Sequence, residues 1–353
     1  MITGFKKKKL LIIGPFPPPY GGVSIHIERL ITMLNTNFEI IKIDEASQKK
    51  ATIFNLRSLH FFKYFGLVAK SNIIHIHSGH YLLRFFHFCT SKIFHKKLII
   101  TIHAYEERDK TFVEKYIDRF IFKYTNRVIF VSEEISQKFA LQNSIIKPAF
   151  LPPNLCEEAQ LPLNMLYWIK CKKDDGYLIC CANASRLDIS NNQDLYGLDL
   201  CIEAAKKCRE ENMKIAFVFV VSDSSGGLNI NFYESLINQY DLANLFFLHK
   251  SSISFISLIE QADIILRPTN TDGDALTVRE GLFLDKKVIA SDVAKRPVGT
   301  YTFKNRDIFS LMYVIKEVRK DLKNNIGRLK TAPDIKPLNA AYYKDFYITN
   351  IYN

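Results

Sequence analysis

Short apolar runs alternating with stretches of helical spacing restrict this chain more than any other feature. Residues 8–14 (KKLLIIG), 38–43, 73–77, 98–103 (LIITIH), 127–131 and 150–151 read as buried strands. They are bounded by charge, Gly or Pro, and each is too short to be a helix. Between them lie amphipathic segments, such as the one carrying Ile27, Leu30, Ile31 and Leu34, and a long stretch at 56–70. The pattern resumes with strands at 177–182, 215–221, 245–248, 264–266 and 288–291. Strand–helix alternation of this kind predicts doubly wound parallel sheets, with ligands at the carboxyl ends of the strands.

The alternation is interrupted at 151–163, LPPNLCEEAQLPL, a proline-rich stretch without periodicity that reads as a linker. A length of 353 residues is right for two domains of about 150–180 residues each. The expected division is 1–155, 165–335 and a terminal segment, 336–353, with Tyr and Phe at near-helical spacing. Hydrophobic residues make up 48%, enough for two cores, yet no apolar run of membrane-spanning length occurs. The basic start, MITGFKKKKLLIIGPF, has an apolar part that stops at Pro15, so it reads as a first strand rather than a signal peptide.

Charge separates the two halves. Residues 1–150 hold 23 Lys/Arg against 11 Asp/Glu, and residues 151–353 hold 25 of each, so the formal +12 lies in the N-terminal half. Such a half suits an anionic partner. Aromatic and basic residues interleave at 61–65 (FFKYF) and 84–88 (RFFHF), a composition compatible with peripheral contact with an anionic membrane and equally with core-packed amphipathic helices. No helix-turn-helix, zinc or RNA-binding aromatic pattern points to nucleic acid. Seven cysteines without metal spacing read as free thiols of a reducing cytoplasm. His75 and His77 share a strand face near His80, but no Cys or acidic partner stands at usable spacing, so no metal site is expected.

The densest chemistry lies at 267–296, RPTNTDGDALTVREGLFLDKKVIASDVAKR. A buried strand runs into a loop with Asp272, Gly273 and Asp274, then a short helix and a second strand. Amides at such a helix start (Asp274, Ala275, Leu276) and the positive end of its dipole form a seat for a diphosphate. Asp272 and Glu280 flank that seat, and Arg186, just past the strand at 177–182, is a guanidinium suited to grip phosphate oxygens. After the first strand, Gly21 and Gly22 allow backbone to approach a ligand closely.

The stretch from Asp272 through seven intervening residues to Glu280, followed by VIASD at 288–292, resembles the nucleotide-sugar motif of the family 4 retaining glycosyltransferases. The family usually has Glu at the first position. The Gly21-Gly22-Val-Ser-Ile-His stretch and Pro153-Asn154 at the linker are similar to the same family. The resemblance implies the GT-B fold: α/β, with two Rossmann-like doubly wound parallel-sheet domains facing across a cleft and a terminal helix packing back on the first. It also implies a retaining, metal-independent transferase with no cofactor, moving a sugar from a nucleoside-diphosphate sugar to a glycan or lipid-linked acceptor in cell-surface polysaccharide synthesis. The enzyme is expected in the cytoplasm or peripheral on the inner face of the plasma membrane.

The resemblance carries over residue by residue. His103 in TIHAYEE matches the active-site histidine, Arg186 and the amides of Asp274, Ala275 and Leu276 stabilise the departing diphosphate, Glu280 holds the ribose, and Asp272 with His103 orients the sugar. Gly21 and Gly22 close the donor end. The family pairs its Arg with a Lys before a Gly, whereas Tyr196 precedes Gly197 here; Arg267, Arg279 or Lys250 are the available substitutes. Three other readings stand beside this one. They are a nucleotide-sugar hydrolase or epimerase on a similar fold, an inactive transferase-like scaffold, and a metal-binding Asp-x-Asp at Asp272–Asp274, whose late placement disfavours it.

Overall fold

The computed structural model describes residues 7–18, 20–47, 49–105, 110–190, 192–223, 229–324 and 340–352. Its contacts divide the chain into two compact units, Met1–Leu151 with Leu338–Asn353, and Pro152–Pro337.

The first unit alternates strand and helix in the order β1 (Lys9–Gly14), α1 (Gly22–Leu34), β2 (Glu39–Asp44), β3 (Phe54–Asn55), α2 (Phe61–Lys70), β4 (Ile73–Ile76), α3 (Tyr81–Ile93), β5 (Lys97–Ile102), α4 (Phe112–Tyr124), β6 (Arg127–Phe130), α5 (Glu133–Gln137) and β7 (Ser144–Ile146). The seven strands form one sheet in the order β3-β2-β1-β4-β5-β6-β7, and every pairing is parallel. Chain order reverses between β1 and β4, which makes their carboxyl ends the topological switch point. Leu10, Ile12, Ile73, Ile99 and Ile129 pack with Ile27, Leu30 and Leu34 of α1, so the helical stripe legible in the sequence covers one sheet face.

The second unit runs α6 (Leu163–Asp174), β8 (Leu178–Arg186), β9 (Ile189–Ser190), β10 (Gln193–Asp194), α7 (Leu198–Glu210), β11 (Ile215–Asp223), α8 (Ile230–Gln239), β12 (Phe246–His249), α9 (Phe255–Gln261), β13 (Ile264–Arg267), α10 (Leu276–Phe283), β14 (Lys287–Ser291), β15 (Thr300–Phe303) and α11 (Ile308–Lys323). Six strands make a parallel sheet, β12-β11-β8-β13-β14-β15, whose switch point is between β8 and β13. β9 and β10 form a separate antiparallel pair. Cys180, Ala182, Phe217, Phe219 and Val221 face a core with α7, α8 and α11, while Ile179, Cys181, Ala216, Val218 and Val220 face one with α6, α9 and α10. The strict alternation along β8 and β11 is the two-residue strand period, with apolar side chains on both faces.

The last helix, α12 (Ala340–Tyr347), and the turn after it, Ile348–Tyr352, belong to the first unit. Tyr347, Ile351 and Tyr352 are buried in the core with Phe38 and Leu151, and the Tyr352 hydroxyl meets His75 Nδ1 at 2.6 Å. The expected boundary at 335/336 lies outside the described residues.

Several expectations change in detail. Residues 150–151 are buried without strand pairing; the last strand of the sheet is instead β7, a three-residue edge strand (Ser144-Ile145-Ile146) of exposed and half-buried residues, too short to stand out as a buried run. The stretch at 56–70 splits into a turn, Leu56–Ser58, and α2, because Leu59 takes a left-handed φ of 57°. Arg84, His87 and Phe88 point inward: Arg84 Nη2 pairs with Asp118 Oδ1 at 2.6 Å, so the segment at 84–88 is not a basic surface. All seven cysteines are free, as the sequence predicts. No helix among the described residues is long and apolar enough to cross a membrane.

Candidate active site

In the second unit the residues singled out in the sequence gather at the β8–β13 switch point. β13 pairs with β8 only at Ile264 and Ile265, after which β8 continues to Arg186 and β13 ends in the loop that leads to α10. Thr277 in the first turn of α10 reaches back to β8, its Oγ1 donating to Asn183 Oδ1 at 3.2 Å. Ala275 caps α10 without a side-chain hydrogen bond. The helix dipole and the first-turn N–H groups therefore face the loop without a hydrogen bond from the N-cap side chain, an arrangement that favours an anion.

Asp272 is already engaged. Arg267 Nε and Nη2 donate to its two oxygens at 3.1 and 3.2 Å, Arg296 Nη1 donates at 2.9 Å, and Thr269 Oγ1 at 3.1 Å. Burial pushes this carboxyl up, but the two guanidiniums outweigh it and hold the group below its ordinary range. Asp274 pairs with Arg279, and Glu280 is buried in the same helix. Arg186 is exposed and its Nε donates to Asp188 at 2.8 Å. Of the proposed substitutes for the missing Lys, Arg279 and Lys250 are ion-paired with Asp274 and Glu234. Arg267, paired with Asp272, lies 5.3 Å above the ring of Tyr196, the residue that stands before Gly197.

A second helix start at this sheet end carries its own anion. Asp194 accepts N–H bonds from Tyr196, Gly197 and Leu198 at 2.9–3.1 Å and a hydroxyl bond from Tyr233 at 3.0 Å. Burial and the neighbouring Asp199 raise its pKa despite these donors. Gly197 is required here: its φ is +71°, and a Cβ would stand 2.4 Å from the Pro268 carbonyl. Gly273 and Gly21 are different. Neither has a left-handed φ, and a Cβ on either would meet nothing within 4 Å among the described residues.

In the first unit, Gly21 caps α1, with its N–H donating to Ser24 Oγ at 2.8 Å, and Gly22 opens the helix. His103 follows β5 and is half-buried; His77 follows β4, and its Nδ1 lies 3.0 Å from His103 Nε2. His26 of α1 joins them, with Nδ1 2.6 Å from the Ala149 carbonyl. Burial lowers the pKa of His26 to about 4 and of His75 to about 3, and drives His77 and His103 well below the ordinary value, so all four are neutral at pH 7. His75 is excluded from pairing with His77 as a ligand because Tyr352 and Thr101 take both of its nitrogens. Ser132 caps α5, its Oγ accepting from the Ile135 amide.

Sequence reasoning missed Arg296, Asp194 and His26. Arg296 and His26 are isolated in the sequence, and only folding brings them to their partners; the Asp194-x-x-Gly197 spacing before a helix was a legible capping signal.

No protein-family model and no curated protein matches the chain. Solved structures do. A glycosyltransferase from Rickettsia africae superposes with a TM-score of 0.69 at 16% identity, over 98% of both chains. HepE from Anabaena, in complex with UDP, gives 0.67 at 14% identity, over 96% of this chain and 94% of that one. WaaG, a glycosyltransferase involved in lipopolysaccharide biosynthesis, gives 0.60 at 12% identity, over 97% and 99%. Two parallel-sheet α/β units with these neighbours give the chain the GT-B fold.

Proposed function

We propose that this chain is a retaining, metal-independent glycosyltransferase that moves a sugar from a nucleoside-diphosphate sugar to a glycan or lipid-linked acceptor in cell-surface polysaccharide synthesis. The observation that carries the reading is the start of α10, whose N-cap residue Ala275 makes no side-chain cap hydrogen bond and which is tied through Thr277 to β8 at the sheet's switch point. The fold shared with HepE, a protein solved with UDP and with UDP-glucose, supports a nucleoside diphosphate at that seat. The open space around Gly273 and Gly21 supports it further, since the chain's own packing does not require glycine at either position.

In this reading the amides of Asp274, Ala275 and Leu276, with Arg186, hold the diphosphate, and Glu280 holds the ribose. The C–O bond from the sugar's anomeric carbon to the diphosphate breaks, and the charge left on the diphosphate is stabilised by these preorganised donors. The acceptor hydroxyl attacks from the same face and passes its proton to the departing phosphate oxygen, which retains the anomeric configuration. His103, as a neutral imidazole, orients the sugar; Gly21 and Gly22 are assigned to the donor end. Asp272 acts through Arg267 and Arg296 as a positioning residue, since both of its oxygens are taken. Arg267 beside Tyr196 supplies the cation that a Lys before Gly197 supplies in similar proteins.

Peripheral contact with an anionic membrane is part of the same proposal. Phe61, Phe62 and Lys63 are exposed on α2, and Phe112, Tyr116, Arg119, Phe120 and Lys123 are exposed on α4, an aromatic and basic combination suited to a lipid interface.

The test is nucleoside diphosphate release from a panel of nucleotide sugars, with and without a lipid-linked acceptor. Release that requires acceptor and falls in Glu280→Ala and Arg186→Ala supports the proposal. Release indifferent to both variants removes the site assignment, and release without acceptor consumption favours a hydrolase or epimerase.

A further inference from the structure

The first unit holds a histidine cluster that no step above uses as a whole. His26 comes from α1, His77 from the residue after β4 and His103 from the residue after β5. Their ring centroids form a near-equilateral triangle with sides of 5.3, 4.9 and 5.3 Å. One nitrogen from each ring can be chosen so that all three lie within 4.8 Å of one another. Gly14 permits this approach, because a Cβ there would stand 3.0 Å from the His77 Cβ and 2.8 Å from Ile27 of α1.

The second observation concerns hydrogen bonding. His26 and His77 are 1% and 2% exposed, and the Nε2 atom of each is buried with no hydrogen-bond partner among the described residues. Buried polar atoms are nearly always satisfied, so two orphaned nitrogens in one cluster call for a reason. His26 supplies a direction for it. Its Nδ1 donates to the Ala149 carbonyl, which leaves the Nε2 as the lone-pair atom, the outer support seen behind metal-bound imidazoles. His75, its ring tilted by 36° against that of His77 with centroids 4.2 Å apart, spends both nitrogens on Tyr352 and Thr101 and so buttresses the cluster from outside.

We propose that His26, His77 and His103 form a binding site for one borderline transition-metal ion, of the Zn²⁺, Co²⁺ or Ni²⁺ class. Three neutral imidazoles without thiolate or carboxylate select such ions over Mg²⁺ or Ca²⁺, which require oxygen ligands. Tetrahedral ligands at about 2.0 Å stand roughly 3.3 Å apart, so the rings close by about 1 Å or a little more on binding. His103, half-buried, gives the side of entry and of the open fourth position. The ion takes no part in the transfer step; by engaging His103 it opposes that step.

The full-length protein, stripped with chelator, is titrated with Co²⁺ alone and followed by its ligand-field absorption. The expected result is saturable tetrahedral bands at one equivalent, displaced by Zn²⁺. His26→Gln and His77→Gln should weaken binding by more than about 100-fold, beyond the loss for an outer-support residue. A His60→Gln/His80→Gln control, at exposed positions, should keep it. Should the buried variants fail to fold, His103→Gln carries the comparison. Wild-type protein without saturable bands overturns the proposal, as do bands that survive His26→Gln or His103→Gln. Because the readout is spectroscopic, failure here leaves the nucleotide-sugar reading untouched, and the reverse also holds.

Discussion

Arg296 Nη1 donates to Asp272 Oδ2 at 2.9 Å across 24 residues of sequence, and Arg267 closes on the same carboxylate from the other side. The link joins the loop after β13 to the loop after β14, so the segment that leads into α10 is fixed from both strands.

Removing the charge at Asp272 should leave two guanidiniums without their partner. Asp272→Asn is expected to cost about 3 kcal/mol at neutral pH, the scale for breaking one side of a buried pair. The folded-state pKa is depressed, so the stabilisation is present above the ordinary carboxylate value of 3.8 and fades only as pH falls below it. Urea unfolding of wild type and variant at neutral pH and at about pH 3 checks both statements; a gap that stays constant with pH contradicts the second.

The two loop glycines separate folding from function. Gly197→Ala forces a side chain into a left-handed backbone and against the Pro268 carbonyl, and should destabilise by about 2 kcal/mol or more. Gly273→Ala meets open space and should change stability by less than about 0.5 kcal/mol while weakening nucleoside-diphosphate binding. Thermal melts alongside calorimetric titration with UDP separate the two; equal melting losses contradict the contrast.

Tyr352→Phe strips the partner from His75 Nδ1 inside the core of the first unit. A loss of about 1–3 kcal/mol is expected, the cost of leaving a buried nitrogen unsatisfied. Denaturant midpoints measure it, and a near-neutral result would mean water reaches His75.

For the membrane contact, Phe62→Ser and Phe112→Ser replace rings that are 97% and 83% exposed. Stability should be unchanged, and pelleting with phosphatidylserine vesicles should fall and become more salt-sensitive. Wild-type protein that stays in the supernatant at low salt ends the proposal.

Most of the fold was legible because buried parallel strands are continuous apolar runs, and 8–14, 98–103 and 215–221 each appear as β1, β5 and β11 with small shifts at the ends. α6 and β15 were not legible. Tyr, Trp and Lys interrupt the apolar stripe of α6, whose buried residues include Lys172, and β15 is an edge strand with one fully buried residue, Phe303. At the site, the acid–loop–helix spacing of Asp272, Asp274 and Glu280 was readable since it is local. Its electrostatic state was not, since Arg296 reaches Asp272 only after β14 has paired with β13.

The sequence alone determined two parallel α/β sheets, a helix start directly after the Asp272–Asp274 loop and a basic first half, because periodicity, helix starts and charge are properties of neighbouring residues. Only the tertiary structure decided which charges are spent on one another and which imidazoles meet. Arg84 lies in a basic aromatic run yet is buried on Asp118, and His26, His77 and His103 are separated along the chain yet stand ring against ring. Such contacts depend on crossover connections that bring strand ends together, and no local pattern encodes them.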